Sequence, residues 1–517
     1  VTNETVTDES GTPLTFGTAG LRGPLGPGPG AMNVDTVVRT TAGLASWLQA
    51  RCLGGSTVVV GRDARHGSRE FAAATAEVLA AAGFDVVVLP RPLPTPVLAF
   101  AVRRLRAAAG VQITASHNPA TDNGYKVYTE GGAQLIAPAD REIEHAIAAV
   151  GPALAVPRAP ATPTDDALLT EYLARVAALP HGSNRDLRIA LTPLHGVGGD
   201  TAIAALTAAG FTDLHTVTSQ FDPDPDFPTV RFPNPEEDGA TDALLELAES
   251  VGADLAIALD PDADRCAVGV PGPDGWRMLR GDETGVLLGD HVLATAGPDP
   301  QERSPRSDQT PLVATTIVSS QLLAKVAAAR GARFAETLTG FKWLVRAGAG
   351  LVYAYEEALG HCVDPDAVRD KDGISTAVLV ADLAAGLKAR GRSLPDVLDD
   401  YAVAFGVHAG DQVSRRVGHQ GELADLMARL RADLPLSLAG DEVTAEDLLA
   451  RRGALRTDAV VLRGERTRMV VRPSGTEPKL KCYLEVVVDV DDRSGLDRAR
   501  AEAARRLSEL RDYARDL

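Results

Sequence analysis

The chain has 517 residues, a net charge of −18 and a pI near 5.1. One hydrophobic core rarely grows past about 250–300 residues, so several domains are expected; 45% apolar but only 4% aromatic residues point to cores of small aliphatic side chains. The acidic balance excludes a general nucleic-acid binder, which needs a basic face, but leaves room for local clusters of Arg and Lys that hold anionic ligands.

The four cysteines, Cys52, Cys266, Cys362 and Cys482, are scattered and form no CxxC pair. Neither a zinc site nor a disulfide framework is expected, and reduced thiols fit a cytoplasmic protein. No apolar run reaches the length of a membrane span, and Val1 to Thr15, polar and acidic, reads as a loose leader rather than a signal peptide.

Phe16-Gly17-Thr18-Ala19-Gly20-Leu21-Arg22-Gly23 places three glycines around a threonine and an arginine, a loop in which backbone and guanidinium could both approach phosphate. Gly26–Gly30 is a further loop, and residues 33–51 read as a helix. Thr57–Val60 is a buried strand, followed by Gly61-Arg62-Asp63-Ala64-Arg65, a helix from about Ser68 to Ala82 closed by Gly83, and a strand from Phe84 to Leu89. Gly110–Ile113 is a short strand that runs into Thr114-Ala115-Ser116-His117-Asn118-Pro119, and Ala120–Lys126 reads as turn residues and then a cation.

Gly151–Asp166, rich in Ala and Pro, reads as a connection. The strand–helix–strand pattern then recurs from Leu187–Leu191 and again from Pro311–Thr315, so three α/β domains of one kind are expected. Gly297–Gln309 reads as an exposed loop. From about Phe405 the grammar changes. Helices are expected near Gly421–Leu434, Ala445–Arg451 and Arg493–Leu510, with strands near Ala459–Leu462, Arg468–Val471 and Leu484–Val488. The expected domains are 1–185, 186–300, 301–404 and an α+β domain, 405–517.

Four stretches carry chemistry. Ser116 sits on a loop after a buried strand, with His117 beside it and Lys126 ten residues on; a serine hydroxyl needs such a base or a metal to act as a nucleophile. Asp260-Pro261-Asp262-Ala263-Asp264-Arg265 follows the apolar strand Asp254–Leu259. Carboxylates at alternate positions of an extended segment point to one side, and oxygen-only ligands favour magnesium or calcium over zinc. An EF-hand loop needs Gly at its sixth position and Glu at its twelfth; Arg265 and Pro271 stand there, which rules it out. Glu356 and Glu357 could accept hydrogen bonds from sugar hydroxyls, with Lys342 on a loop upstream. Arg472-Pro473-Ser474-Gly475-Thr476, followed by Lys479 and Lys481, forms a plausible phosphate cradle.

In this order and spacing the loops Gly17–Gly23, Thr114–Pro119, Asp260–Arg265, Glu356–Gly360 and Arg472–Thr476 resemble those of the α-D-phosphohexomutase superfamily, the phosphoglucomutases and phosphomannomutases. The resemblance runs from about Phe16 to Tyr483 and is nearest to the branch with phosphopentomutase and glucose-1,6-bisphosphate synthase. It implies three α/β domains with mixed sheets and a C-terminal α+β domain, heart-shaped around a central cleft, as a monomer or homodimer acting on a small phosphosugar.

The resemblance also implies roles. Ser116 would carry the phosphoryl group, and Asp260, Asp262, Asp264 and a phosphoserine oxygen would bind Mg2+. His117 and Lys126 would be the acid–base candidates and Arg22 an electrostatic support. Arg265, Lys342 and Glu356 would contact the sugar, while Arg472, Ser474, Gly475, Thr476 and Lys481 would grip the idle phosphate. A sugar bisphosphate such as glucose 1,6-bisphosphate would activate the enzyme. Classical phosphoglucomutases have serine where this chain has Ala358, so the sugar loop carries one hydroxyl fewer and hexose and pentose phosphates both stay open. A magnesium-dependent phosphatase would need no second phosphate cradle, and a sensor without catalysis would not need Ser116, the aspartates and Lys126 together.

Overall fold

Three times along the chain an apolar run forms a strand, a helix follows, and two further strands pair parallel to the first on either side of it. In the first repeat Thr57–Arg62 lies between Asp85–Val88 and Ala109–Ile113, with the helix Ser68–Ala81 after the central strand. Arg188–Thr192 likewise lies between Asp213–Thr216 and Leu255–Leu259, and Leu312–Thr316 between Arg333–Thr337 and Leu351–Glu356. Strands buried on both faces need no polar alternation, and Val58, Val59, Val60 and every residue of Leu255–Leu259 are fully buried. The computed structural model describes residues 13–295, 310–418, 420–453, 455–474 and 479–517.

The first two sheets are mixed. Asp122–Thr129 pairs antiparallel with Ala109–Ile113 and with Leu21–Pro24. Cys266–Gly272 pairs antiparallel with Leu255–Leu259 and with Gly275–Met278. The turn expected around Ala120–Lys126 and the glycine loop around Leu21–Gly23 are therefore corrected to paired strands, and Lys126 sits within a strand. Asn and Gly at 123 and 124 read as turn residues, but a Cβ on Gly124 would lie 2.6 Å from the Thr114 carbonyl oxygen and 2.8 Å from that of Leu21. The glycine is there because two backbones approach it closely.

The chain divides into two compact units. One comprises Val1–Thr284 with Ala358–Gly391, the other Gly285–Glu357 with Arg392–Leu517. The C-terminal part of the second unit is an antiparallel sheet in which Lys479–Val488 lies between Val407–Arg416 and Thr467–Pro473, continued by Val460–Arg463 and Thr444–Asp447. Helices Gln420–Ala432 and Leu496–Asp516 supply Leu426, Met427, Leu507 and Leu510 to its core. The short helix expected over Ala445–Arg451 is instead the strand Thr444–Asp447 followed by turns: the edge of the sheet overrides the helical preference of Ala, Glu and Leu. The expected loop 297–309 lies outside the described residues. Among the described residues no helix is long and apolar enough to cross a membrane.

The loops with Ser116, with Asp260–Asp264 and with Glu356–Glu357 share a topological position. Each lies at the end of the third strand of its repeat, which closes at Ile113, Leu259 and Glu356 respectively, at the carboxyl edge where open α/β sheets present their ligand-binding loops.

Candidate active site

Ser116 leaves its strand in a left-handed conformation, φ 56°, with only 2% of its surface exposed. The Thr114 hydroxyl accepts its backbone N–H at 2.9 Å. Its own Oγ donates to Asp260 Oδ2 at 3.1 Å and lies 3.2 Å from His117 Nδ1.

Asp260, Asp262 and Asp264 are fully buried, and each offers a carboxylate oxygen within 4.8 Å of the others. Ala263, at φ 52°, and its N–H to the Asp260 carbonyl (2.8 Å) bend the backbone so that the three side chains converge. Thr95 Oγ1 and Lys126 Nζ both donate to Asp262 Oδ2 at 2.6 Å. Lys126 reaches Asp264 Oδ2 at 3.0 Å and Lys371 reaches it at 3.1 Å. The Arg265 N–H donates to Asp260 Oδ1 at 3.0 Å.

Burial, with Asp262 and Asp264 alongside, pushes the Asp260 carboxyl well above the usual carboxylate range. Burial would raise Asp264 too, but Lys126, Lys371 and Arg265 hold it below that range, and Lys126 and Thr95 do the same for Asp262. Asp262 Oδ1 and Asp264 Oδ1 are buried without a hydrogen-bond partner among the described residues. Orphaned buried carboxylate oxygens are costly. Hard anionic oxygens converging on one point therefore fit a divalent cation such as magnesium.

Cations surround the serine. Arg22, on the strand Leu21–Pro24, is held below its usual range by burial, opposed by the charge of Asp262. His117 accepts from Arg265 through Nδ1. Burial, then the charges of Arg265 and Arg22, push its imidazole well below its usual range, so it is neutral near pH 7. Arg22, Ser116, His117, Lys126, the three aspartates and Arg265 thus come together within the first unit, from loops far apart in the chain.

Sequence reasoning missed Lys371, Asp370 and Thr95. Asp370 Oδ2 accepts from Tyr128 Oη and Gln134 Nε2, both at 2.7 Å, and so braces the turn that aims Lys371 at Asp264. Their signal, Arg369-Asp370-Lys371-Asp372, alternates in charge and reads as a solvated face.

The other expected residues lie in the second unit, except Ala358. Glu357 Oε2 accepts from Ser319 Oγ at 2.8 Å and Thr316 Oγ1 at 3.1 Å, contacts that support the loop. Lys342 lies on the short helix Phe341–Leu344. Arg472 pairs in register with Lys481, and the Ser474 N–H closes the hairpin on the Lys479 carbonyl at 2.8 Å. Gly475 and Thr476 lie outside the described residues. Burial raises the Tyr483 phenol, which feels Glu357, Arg472 and Glu356, so the glutamate loop and the basic hairpin meet at this tyrosine.

Four family models match along the chain: phosphoglucomutase/phosphomannomutase α/β/α domain I over residues 13–152, domain II over 170–272, domain III over 280–404, and the C-terminal domain over 427–504. A Haemophilus influenzae protein named "Probable phosphomannomutase" is 40% identical over 462 residues, covering 88% of this chain and 93% of its own. Human phosphopentomutase is 35% identical over 530 residues, covering 92% and 85%. The structure of Aspergillus fumigatus N-acetylphosphoglucosamine mutase, solved with GlcNAc-6P and magnesium, superposes with a TM-score of 0.56 at 16% identity, covering 98% of this chain and 96% of that one.

Proposed function

The chain belongs to the phosphoglucomutase/phosphomannomutase family and is a phosphosugar mutase, and from that premise we propose that it moves a phosphoryl group between the 1- and 6-positions of a hexose phosphate, glucose or mannose, by way of phosphoserine at Ser116. The observation that carries this reading is the placement of Ser116 Oγ, 3.1 Å from the aspartate cluster and 3.2 Å from a neutral imidazole.

Ser116 starts as a phosphomonoester. A sugar hydroxyl forms a new O–P bond as the Ser116 Oγ–P bond breaks, leaving a bisphosphorylated sugar. His117, neutral and within reach, is the candidate to take the hydroxyl proton, and Lys126, an ammonium, is the candidate to protonate the departing Ser116 oxygen, the two exchanging their proton before the return step. Lys126 directs two of its donors at Asp262 and Asp264. Arg22 and Arg265 offer fixed positive charge to the transferring group. A magnesium ion would be held by Asp260, Asp262, Asp264 and a phosphoserine oxygen of Ser116, and would supply further charge neutralisation. The sugar then turns over, and Ser116 Oγ takes the other phosphate, its proton passing to His117. Glu356, Lys342 and Arg265 hold the sugar, and Arg472, Ser474, Gly475, Thr476 and Lys481 hold whichever phosphate is idle. A sugar bisphosphate primes Ser116 when it has lost its phosphate.

A pentose reading has two observations in its favour. Ala358 offers no hydroxyl at the sugar loop, and a relative of 35% identity acts as a phosphopentomutase. Initial rates with magnesium and a bisphosphate activator on glucose 1-phosphate, mannose 1-phosphate and ribose 1-phosphate separate the two. Ser116→Ala serves as the blank. Faster hexose turnover supports the proposal, faster pentose turnover replaces it, and full activity in Ser116→Ala overturns the phosphoserine mechanism.

A further inference from the structure

Gly61-Arg62-Asp63-Ala64-Arg65, at the end of the central strand of the first sheet, has no part in the chemistry above, yet its last residue is among the most heavily engaged side chains of the molecule. Arg65 is 4% exposed. Its guanidinium donates to four carbonyls of one loop: Nη2 to Ser116 at 2.5 Å and Asn118 at 2.6 Å, Nη1 to Pro119 at 2.8 Å and Asp122 at 3.2 Å. Its Nε faces Asp63 Oδ2 at 3.3 Å. The other oxygen of Asp63 accepts from the Arg65 N–H at 3.0 Å and from Ser68 Oγ at 2.6 Å, and the Asp63 N–H donates to the Ile113 carbonyl at 3.0 Å. The carboxylate is thus fixed before it orients the guanidinium. The remaining face of the guanidinium lies over the Phe227 ring, 4.9 Å from its centroid, and Phe227 comes from the second α/β repeat.

The loop needs this restraint. Ser116 holds a left-handed backbone that non-glycine residues adopt at a cost, and such a conformation persists only where its surroundings over-determine it. Carbonyls turned inward away from strand partners must also be paired. A planar fork of five donors can serve several acceptors at once, and a lysine ammonium, a compact point charge, cannot.

We propose that Arg65 is a positioning residue for Ser116: by gathering the carbonyls of Ser116, Asn118, Pro119 and Asp122 onto one guanidinium, braced by Asp63 and Phe227, it holds the serine Oγ at the aspartate cluster. Its hydrogen bonds go to backbone carbonyls and not to the serine Oγ. The proposal rests on the mutase reading. Its consequence is a split between the two kinetic constants. Groups that hold the sugar and the idle phosphate lie on other loops and are untouched, while the angle of the phosphoseryl group relative to an in-line attack is lost.

The test is steady-state kinetics of Arg65→Lys, alongside wild type and Ser116→Ala, well below the variant's melting midpoint as read by circular dichroism. The expected result is a kcat reduced about tenfold or more, with KM changed less than about threefold, since misplacement by an ångström weakens transfer without weakening binding. A smaller loss in kcat, or a loss carried by KM, overturns the proposal. Should Arg65→Lys fail to fold, Phe227→Leu decides: a kcat at least about threefold lower at unchanged KM supports the bracing of Arg65, and an unchanged kcat overturns it. An inactive Ser116→Ala beside a normal Arg65→Lys removes this proposal alone; an active Ser116→Ala removes the mutase mechanism itself.

Discussion

Lys126 concentrates the electrostatics of the site into one side chain. It is 4% exposed, lies 2.6 Å from Asp262 and 3.0 Å from Asp264, and keeps two buried carboxylates in their ionised form. Replacing it with methionine preserves most of the volume and removes the charge. Breaking a buried ion pair from one side leaves the other side uncompensated, so Lys126→Met should lose about 3–5 kcal/mol of stability in chelator, measured by urea unfolding. Saturating magnesium should recover part of that loss, because a cation at the carboxylates replaces the missing charge. Activity should fall by about two orders of magnitude even with magnesium, because the proton donor is gone. A second residue is constrained by space rather than charge. Gly20 precedes the strand of Arg22 at φ 77°, and a Cβ there would lie 1.9 Å from the Tyr125 carbonyl oxygen. Gly20→Ala should therefore destabilise the protein by about 2 kcal/mol or more, and chemical denaturation would read it.

The helix Gly373–Lys388 shows how an element can carry a pH dependence. Its N-cap, Asp372, accepts the N–H groups of Ile374 at 3.1 Å and Ser375 at 3.0 Å, as well as the Tyr172 hydroxyl at 2.8 Å. Burial nevertheless pushes its carboxyl up from 3.8 to about 6. Between those two values the folded chain binds the proton and the unfolded chain does not. Ionisation is thus a penalty on folding that is absent below the unfolded value and grows as pH rises through the folded one, and a shift of about two units corresponds to about 3 kcal/mol. Asp372→Asn keeps the cap and has no proton to lose. Its stability relative to wild type should therefore rise by about that amount from pH 4 to pH 7; a difference independent of pH would show that the cap's donors dominate over burial. Elements of this kind also mark what could be read in advance. The apolar strands, and the serine, aspartate and glutamate loops after the third strand of each repeat, are local patterns that announce themselves. Thr95, Asp370 and Lys371 do not, because nothing in an alternating charged run or a Pro-Thr-Pro turn tells which distant carboxylate it will face. Leu21–Pro24 and Asp122–Thr129 were illegible for a related reason: their Gly and Asn answer to neighbouring backbones, while local preference reads them as a turn. In the C-terminal sheet, Thr444–Asp447 is decided by an edge that only the folded chain provides.

At the scale of the whole molecule the chain separates its chemistry between two units, each assembled from two stretches of chain. The serine, the aspartates and the cations that face them lie in one; Lys342, Glu356 and the basic hairpin lie in the other. Such a division makes the metal a selective probe. The buried, unpartnered Oδ1 atoms of Asp262 and Asp264 belong to the first unit, and three carboxylates within 4.8 Å repel one another when no cation is bound. A magnesium ion that binds only where those side chains are gathered would stabilise the folded first unit by linkage, by about 2.7 kcal/mol at a hundred times its dissociation constant. In scanning calorimetry, added magnesium should therefore raise the transition in which the first unit unfolds and leave the second where it was. Asp262→Asn should abolish the shift, because it removes one anionic ligand and the partner of Lys126 together. Calcium, with longer and more flexible coordination, should reproduce part of the shift, since the ligands are hard oxygens throughout. A rise of both transitions by the same amount would mean that the two units unfold as one cooperative body; no rise in either would leave the aspartates as a purely structural partner of Lys126 and Lys371.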